Sequence, residues 1–297
     1  MDTTNYTKTS FGLYVPAHIA EQINHLDMST VACYESHLRN SGKAATIEKY
    51  IHSIKLFSIF LGDHYLSVTY VRAWLDVLKK TRHINTVNNA ISALNGLFKW
   101  LGRADCTVSF FPYQEPQYRE DDRDLNAGDF ARLLSAADTR MKTILLTFHG
   151  TGIRVSELRF FTVEAVKSGQ VVVDNKGKVR TVFLDPWTKT VLLNYCEKRD
   201  IKSGVIFRNR LGAALSRSYI WRAMKKLAEK AGVALSKVFP HNIRHLFAVE
   251  RYKAEKDIEG LRLDLGHSLI ATTQRYLKET VGRHYERVTM RRTMIAR

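Results

Sequence analysis

Apolar positions recur at helical intervals through most of this chain, and the pattern falls into two blocks separated by a polar break. Residues 27 to 101 read as four short amphipathic helices. Met28 to Leu38 opens the series, and Ser41-Gly42-Lys43 interrupts it. Ala44 to Leu61 carries Ile47, Tyr50, Ile51, Ile54, Leu56, Phe57 and Phe60 as a stripe near the 3.6-residue period, and Gly62-Asp63 ends it. Val68 to Leu78 and Thr86 to Leu101 continue the pattern, the second with Val87, Ile91, Leu94, Leu97, Phe98 and Leu101. Short helices with brief connections predict a small bundle. Residues 1 to about 26 show no clear period and form an N-terminal extension.

The pattern changes after residue 102. Phe111-Pro112, Glu115-Pro116 and the charged run Arg119-Glu120-Asp121-Asp122-Arg123-Asp124 predict a solvated linker over 113–125, which closes a bundle domain of 27–112. A second domain over 126–283 then opens with Asn126 as a helix N-cap. Residues 170–174 and 179–184 are rich in β-branched side chains and flank Asn175-Lys176-Gly177-Lys178, the pattern of a β-hairpin. From Tyr219 onward helical patterns return, broken near Gly232, Pro240 and Gly266. The expected fold is mainly α with a small β-sheet: an N-terminal helical bundle and a C-terminal mixed α/β domain. Residues 284–297 form a basic tail.

Charge narrows the function. The chain's 297 residues carry a net charge of +17, and the commonest match for such a surplus is a phosphate backbone. A membrane is a weaker match, because no apolar run approaches the ~18 residues that span a bilayer. The start, MDTTNYTKTSFGLY, lacks the basic and apolar stretches of a signal peptide. Cys33, Cys106 and Cys196 are isolated and odd in number, which points to a reducing cytoplasm.

The second domain holds side chains suited to cutting a phosphodiester. Arg154, in TGIRVSEL, stands at the start of an expected helix, where a guanidinium can fork onto phosphate oxygens and Glu157 can orient it. Lys176 at the hairpin tip can protonate a leaving oxygen, with Lys178 competing for the role. His241 and Arg244, in FPHNIRHLFA, share a helix face, which suits a base and a second phosphate fork. His267 follows Gly266 in LGHSLIATTQRY and can donate to a nonbridging oxygen, and Tyr276 ends that segment. A phenol with an ordinary pKa near ~10 is a poor nucleophile, but surrounding cations would stabilise the phenolate. Tyr219, Tyr252 and Tyr285 read as packing residues. His241 and His245 also have the spacing of a zinc-binding pair. However, Asn242 stands where such a motif needs Glu, and Arg244 between them disfavours a dication.

Together these segments resemble the tyrosine recombinase (phage integrase, Xer-like) family. The resemblance is specific from Gly152 to Tyr276 and rests on pattern alone for the bundle, which is similar to the family's core-binding domain. It implies a two-domain clamp on a double-stranded DNA recombination site, with Tyr276 attacking the scissile phosphate to leave a 3′-phosphotyrosine and a free 5′-hydroxyl. Arg154, Arg244 and His267 would stabilise the pentavalent state, Lys176 would be the acid and His241 the acid/base. No cofactor is implied, neither ATP nor metal. Four protomers would exchange strands on two synapsed sites through a Holliday junction, with or without accessory proteins. Two positions depart from the family pattern: the hairpin reads Asn-Lys-Gly-Lys, and Phe183, read as packing, stands where relatives often have Pro.

DNA contacts are expected from Lys43, Thr46, Lys49, Asn85, Asn88, Asn89 and Ser92 of the bundle, which fall away from its apolar stripes, and from Ser216, Arg217 and Arg222 of the second domain. The tail, with Val288, Met290 and Met294 on one side, is expected to dock on a neighbouring protomer and gate Tyr276. The alternatives to strand exchange are a type IB topoisomerase-like activity and a DNA-binding protein without catalysis.

Overall fold

The computed structural model describes residues 6–8, 14–16, 25–41, 44–114, 124–175 and 177–278. The chain divides into two compact units, Met1–Glu115 and Pro116–Arg297. The first begins with a pair of short strands that the sequence pattern did not reveal, β1 (Tyr6–Lys8) and β2 (Tyr14–Pro16), antiparallel with Tyr6 opposite Pro16. Strands this short have too few positions for a period to register.

The bundle is α1 (Met28–Ser41), α2 (Ala44–Leu61), α3 (Val68–Thr81) and α4 (Ile84–Leu101). Ile47, Ile51, Ile54, Phe57 and Leu61 bury one face of α2, and Val87, Ile91, Leu94 and Phe98 bury one face of α4. Phe57 packs between Trp74 of α3 and Phe98, with ring centroids 5.4 and 6.3 Å away. Leu56 and Phe60, assigned to the stripe from sequence, are instead exposed. They lie on the shoulders of the i, i+3, i+4, i+7 series that points inward. Gly62 and Gly102 follow α2 and α4 with φ of 55° and 76°, the left-handed conformation that stops a helix.

The second unit starts with α5 (Ala127–Ala136), where Asn126 caps the helix by accepting from the Asp129 amide at 2.7 Å. Then come α6 (Thr139–Thr151), a 3-10 turn (Val155–Phe160), α7 (Val163–Ser168), β3 (Gln170–Asn175), β4 (Lys178–Phe183) and α8 (Pro186–Lys198). After these come α9 (Arg217–Lys230), α10 (Pro240–Glu255), α11 (Ile258–Leu265), α12 (Ile270–Gln274) and a 3-10 turn (Arg275–Leu277). β3 and β4 pair antiparallel from Gln170↔Phe183 to Asn175↔Lys178. Alternation turns Val171, Val173 and Val182 into the core. It turns Phe183 outward, 71% exposed, so Phe183 has no packing role within this unit. The core joins Ile144, Leu145 and Phe148 of α6, Leu192 of α8, Met224 of α9 and Ile243 of α10.

Candidate active site

Arg154 is delivered by the end of α6. Gly152 caps that helix at φ 59°, and a Cβ there would come within 2.3 Å of the Phe247 ring, so the chain turns where only glycine fits. Arg154 then starts a 3-10 turn rather than the α-helix expected, and a turn of this kind supplies little dipole. The field therefore comes from the guanidinium itself. Its NH1 lies 3.1 Å from Glu157 Oε1, and its backbone amide donates to Glu157 Oε2 at 2.8 Å. Glu157 is 1% exposed, which makes its carboxylate a fixed post.

The first turn of α10 carries His241 and Arg244, with Pro240 at its start. Arg244 is fully buried. Its NH1 donates to the Gly152 carbonyl at 2.5 Å, and its NH2 donates to the Leu265 carbonyl at 2.6 Å and to His267 Nε2 at 3.0 Å. The Arg244 guanidinium thus pins the ends of α6 and α11 together. Burial, with the Arg154 charge acting in the same direction, lowers its pKa to about 10, and it stays cationic at neutral pH.

His267 is held on both sides. An arginine only donates, so His267 Nε2 accepts, and the ring hydrogen sits on Nδ1, facing Thr273 Oγ1 at 3.0 Å. Burial first, then Arg244, Arg154 and Arg180, drives its pKa down to about 4. The imidazole is neutral at physiological pH in this arrangement.

Tyr276 lies in the 3-10 turn after α12 and is mostly buried. Its ring is surrounded by three imidazoles, His241, His245 and His267, at centroid distances of 5.3, 5.7 and 5.4 Å. Its hydroxyl is 3.2 Å from His241 Nε2, within reach for proton transfer. Tyr252 is half-buried beside Leu261 and Leu265, Tyr219 is exposed on α9 rather than packed, and Tyr285 lies outside the described residues.

An open cavity of about 350 Å³ runs along this cluster, lined by Arg154, Glu157, Lys178, Arg180, His267 and Thr272. Lys178 reaches it from β4, its Nζ donating to Ser268 Oγ at 2.5 Å. Lys176 lies outside the described residues. The structure thus gathers Arg154, His241, Arg244, His267 and Tyr276 into one cluster, and Lys178 lines the cavity with Arg154 and His267. It adds Arg180, Thr273 and Ser268, which the sequence did not single out, and it sets His245, weighed above only as half of a zinc-binding pair, against the Tyr276 ring. A signal for Arg180 was present, since positions two apart on a strand share a face and Lys178 was already a candidate.

On the bundle, Thr46, Lys49, Asn85 and Asn89 are exposed, and Lys43 lies outside the described residues. Asn88 has a different duty from the one expected. Its amide donates to the Phe111 carbonyl and accepts from the Phe111 amide, both at 2.9 Å, fastening the segment that leaves the bundle. Ser92 donates back to the Asn88 carbonyl at 3.1 Å. On α9, Ser216 accepts from the Tyr219 amide as the N-cap, while Arg217 and Arg222 are exposed. The tail lies outside the described residues.

Residues 123–283 match the family model described as the phage integrase family. The chain is 31% identical over 260 residues to tyrosine recombinase XerA of Thermococcus kodakarensis, a match covering 84% of this chain and 90% of that protein. A crystal structure of XerA recombinase superposes with a TM-score of 0.51 at 25% identity, over 89% of this chain and 97% of that one. A lambda integrase tetramer bound to a Holliday junction shares the fold, with a TM-score of 0.69 at 18% identity over 86% of this chain and 79% of that one.

Proposed function

Because this chain belongs to the phage integrase family and is a site-specific tyrosine recombinase, we propose that Tyr276 is the residue that breaks the DNA strand, in the active site of its own protomer. The Tyr276 hydroxyl attacks the scissile phosphorus and His241 Nε2 takes its proton. The bond from phosphorus to the 5′ oxygen breaks, leaving a 3′-phosphotyrosine. The departing 5′ oxygen takes a proton from the hairpin lysine, Lys178 or Lys176. Attack by the 5′-hydroxyl of a partner strand reverses every step, so the phosphodiester energy is kept in the protein adduct.

Arg154 and Arg244 stabilise the charge that develops on the phosphorane. His267 changes partner to join them. A phosphate entering the cavity offers Arg244 a stronger acceptor than an imidazole, and its charge favours a protonated His267 that donates to a nonbridging oxygen. The observation that carries the reading is the 3.2 Å approach of the Tyr276 hydroxyl to His241, beside the Arg244 guanidinium. A nicked suicide duplex tests it: the wild-type protein becomes covalently trapped, and Tyr276→Phe binds without trapping. Strand cutting by Tyr276→Phe would end the proposal.

The substrate proposed is a double-stranded recombination site, engaged by a homotetramer on two synapsed sites. Thr46, Lys49, Asn85 and Asn89 on the bundle and Arg217 and Arg222 on α9 are the proposed backbone and base contacts. The three cysteines are free thiols, which fits work in a reducing cytoplasm.

A further inference from the structure

Arg180 is a mostly buried cation that the reaction scheme above does not use. It sits on β4 opposite Val173, on the face that carries Lys178 into the cavity and Val182 into the core. Its side chain is 14% exposed, and its NH2 donates to Glu157 Oε2 at 2.8 Å. Its Nε and NH1 are shut away from solvent and form no hydrogen bond among the described residues. Room for this side chain depends on Gly266, where a Cβ would come within 2.4 Å of Arg180 Cδ and 2.5 Å of its Nε. Gly266 also has a φ of 62°, so it serves both the turn into His267 and the passage of Arg180.

The arrangement resolves a conflict in the site. Glu157 orients Arg154 through Oε1 and through the Arg154 amide, but a lone carboxylate so placed would also neutralise Arg154. A neutralised guanidinium does little for a phosphorane. Arg180 occupies the other carboxylate oxygen, and the trio of two guanidiniums and one carboxylate keeps a net positive charge beside the cavity. The same charge reaches His267, where Arg180 is among the cations that hold the imidazole neutral.

We propose that Arg180 is a positioning residue for the recombination reaction: it anchors Glu157 so that Arg154 is aimed at the scissile phosphate without losing its charge to its own support. This rests on the reading of the cavity as the phosphate site, and its test separates the two. The probe is a nicked duplex bearing the protein's own recombination site, mapped beforehand by footprinting, with either an ordinary phosphate or a neutral methylphosphonate at the scissile position. Single-turnover trapping is followed for wild type, Arg180→Met, Arg180→Lys, Glu157→Gln and the Glu157→Gln/Arg180→Met double variant.

Arg180→Met should slow trapping on the ordinary phosphate by roughly 10- to 100-fold with DNA binding within about twofold. Arg180→Lys should recover part of the rate. On methylphosphonate the deficit of Arg180→Met should shrink to about threefold or less, because there is less charge left to stabilise. The double variant should be no slower than the slower single variant, since one chain of contacts is cut twice. A folding defect alone would depress both substrates equally. An equal deficit on the two substrates, additive single variants, or wild-type speed in Arg180→Met overturns the proposal. Failure of the wild type to form an adduct at Tyr276 overturns the underlying reading instead.

Discussion

The imidazole of His245 stacks on the phenol ring of Tyr276, with centroids 5.7 Å apart and planes inclined by 22°. His245 is itself buried, and its Nδ1 lies 3.8 Å from Asp124 Oδ1, at the edge of the second unit. The ring of Tyr276, the proposed nucleophile, is thereby set by a side chain adjacent to Arg244 on α10, while its hydroxyl meets His241 one helical turn earlier. One helix fixes both the ring and the proposed proton acceptor.

His245→Leu keeps bulk behind the ring and removes the stack and the Asp124 contact. Covalent trapping on a suicide duplex should fall by about tenfold, with site binding unchanged, because misplacing a nucleophile costs rate rather than affinity. Trapping at the wild-type rate would show that the ring needs no such support.

The depressed pKa of His267 has a consequence for stability. In the unfolded chain its imidazole takes a proton near pH 6.5, and in the folded site only near pH 4. Between these values the unfolded state binds more protons, so stability is full above about pH 6.5 and is lost as pH falls toward 4. Denaturant midpoints at pH 7 and pH 4.5 should show the wild type losing about 1 to 2 kcal/mol more than His267→Gln. Equal acid losses in the two proteins would contradict the assignment of a neutral, buried imidazole.

The proton donor can be identified by changing the leaving group. A bridging 5′ sulfur leaves as a stable thiolate and needs no acid. Lys178→Met and Lys176→Met should each be assayed on ordinary and 5′-thio nicked duplexes. The variant that loses about 100-fold or more on oxygen and regains near-wild-type rate on sulfur has lost the acid. The structure places Lys178 in the cavity beside Ser268, so Lys178→Met is the variant expected to be rescued.

Much of this arrangement could be read from the chain before folding, for identifiable reasons. The bundle faces follow from period alone, because Ile47, Ile51, Ile54 and Phe57 cannot all avoid water except on one helix side. Arg154, His241, Arg244, His267 and Tyr276 each sit in a short segment whose neighbours set the local backbone. What could not be read depends on segments meeting in space. The Glu157–Arg180 pair forms only because the hairpin folds back over the turn after α6. Thr273 takes the His267 hydrogen only because α12 returns beside α11. Asn88 looks like a wet, DNA-facing side chain until the segment at Phe111 crosses it. Leu56 and Phe60 show the opposite error, where an apolar residue near the stripe was counted as part of it.

Gly152 concentrates several of these demands in one residue, and its substitution has two separable costs. A left-handed φ of 59° penalises any Cβ by about 1–2 kcal/mol. Gly232, in the same unit, has a φ of 61° with nothing within 4 Å of a built Cβ, so Gly232→Ala reports that backbone cost alone. At Gly152 the new methyl also meets the Phe247 ring at 2.3 Å, in a region where overpacking adds about 1–3 kcal/mol. Gly152→Ala should therefore lose roughly 2–5 kcal/mol in denaturant melts, clearly more than Gly232→Ala. It should also lose strand cleavage at temperatures where it remains folded. The Gly152 carbonyl is the acceptor for Arg244 NH1, and Arg154 follows two residues later, so a shift of this turn moves both guanidiniums at once. Equal losses in the two alanine variants, or full cleavage by Gly152→Ala, would mean that the turn has slack the geometry does not show.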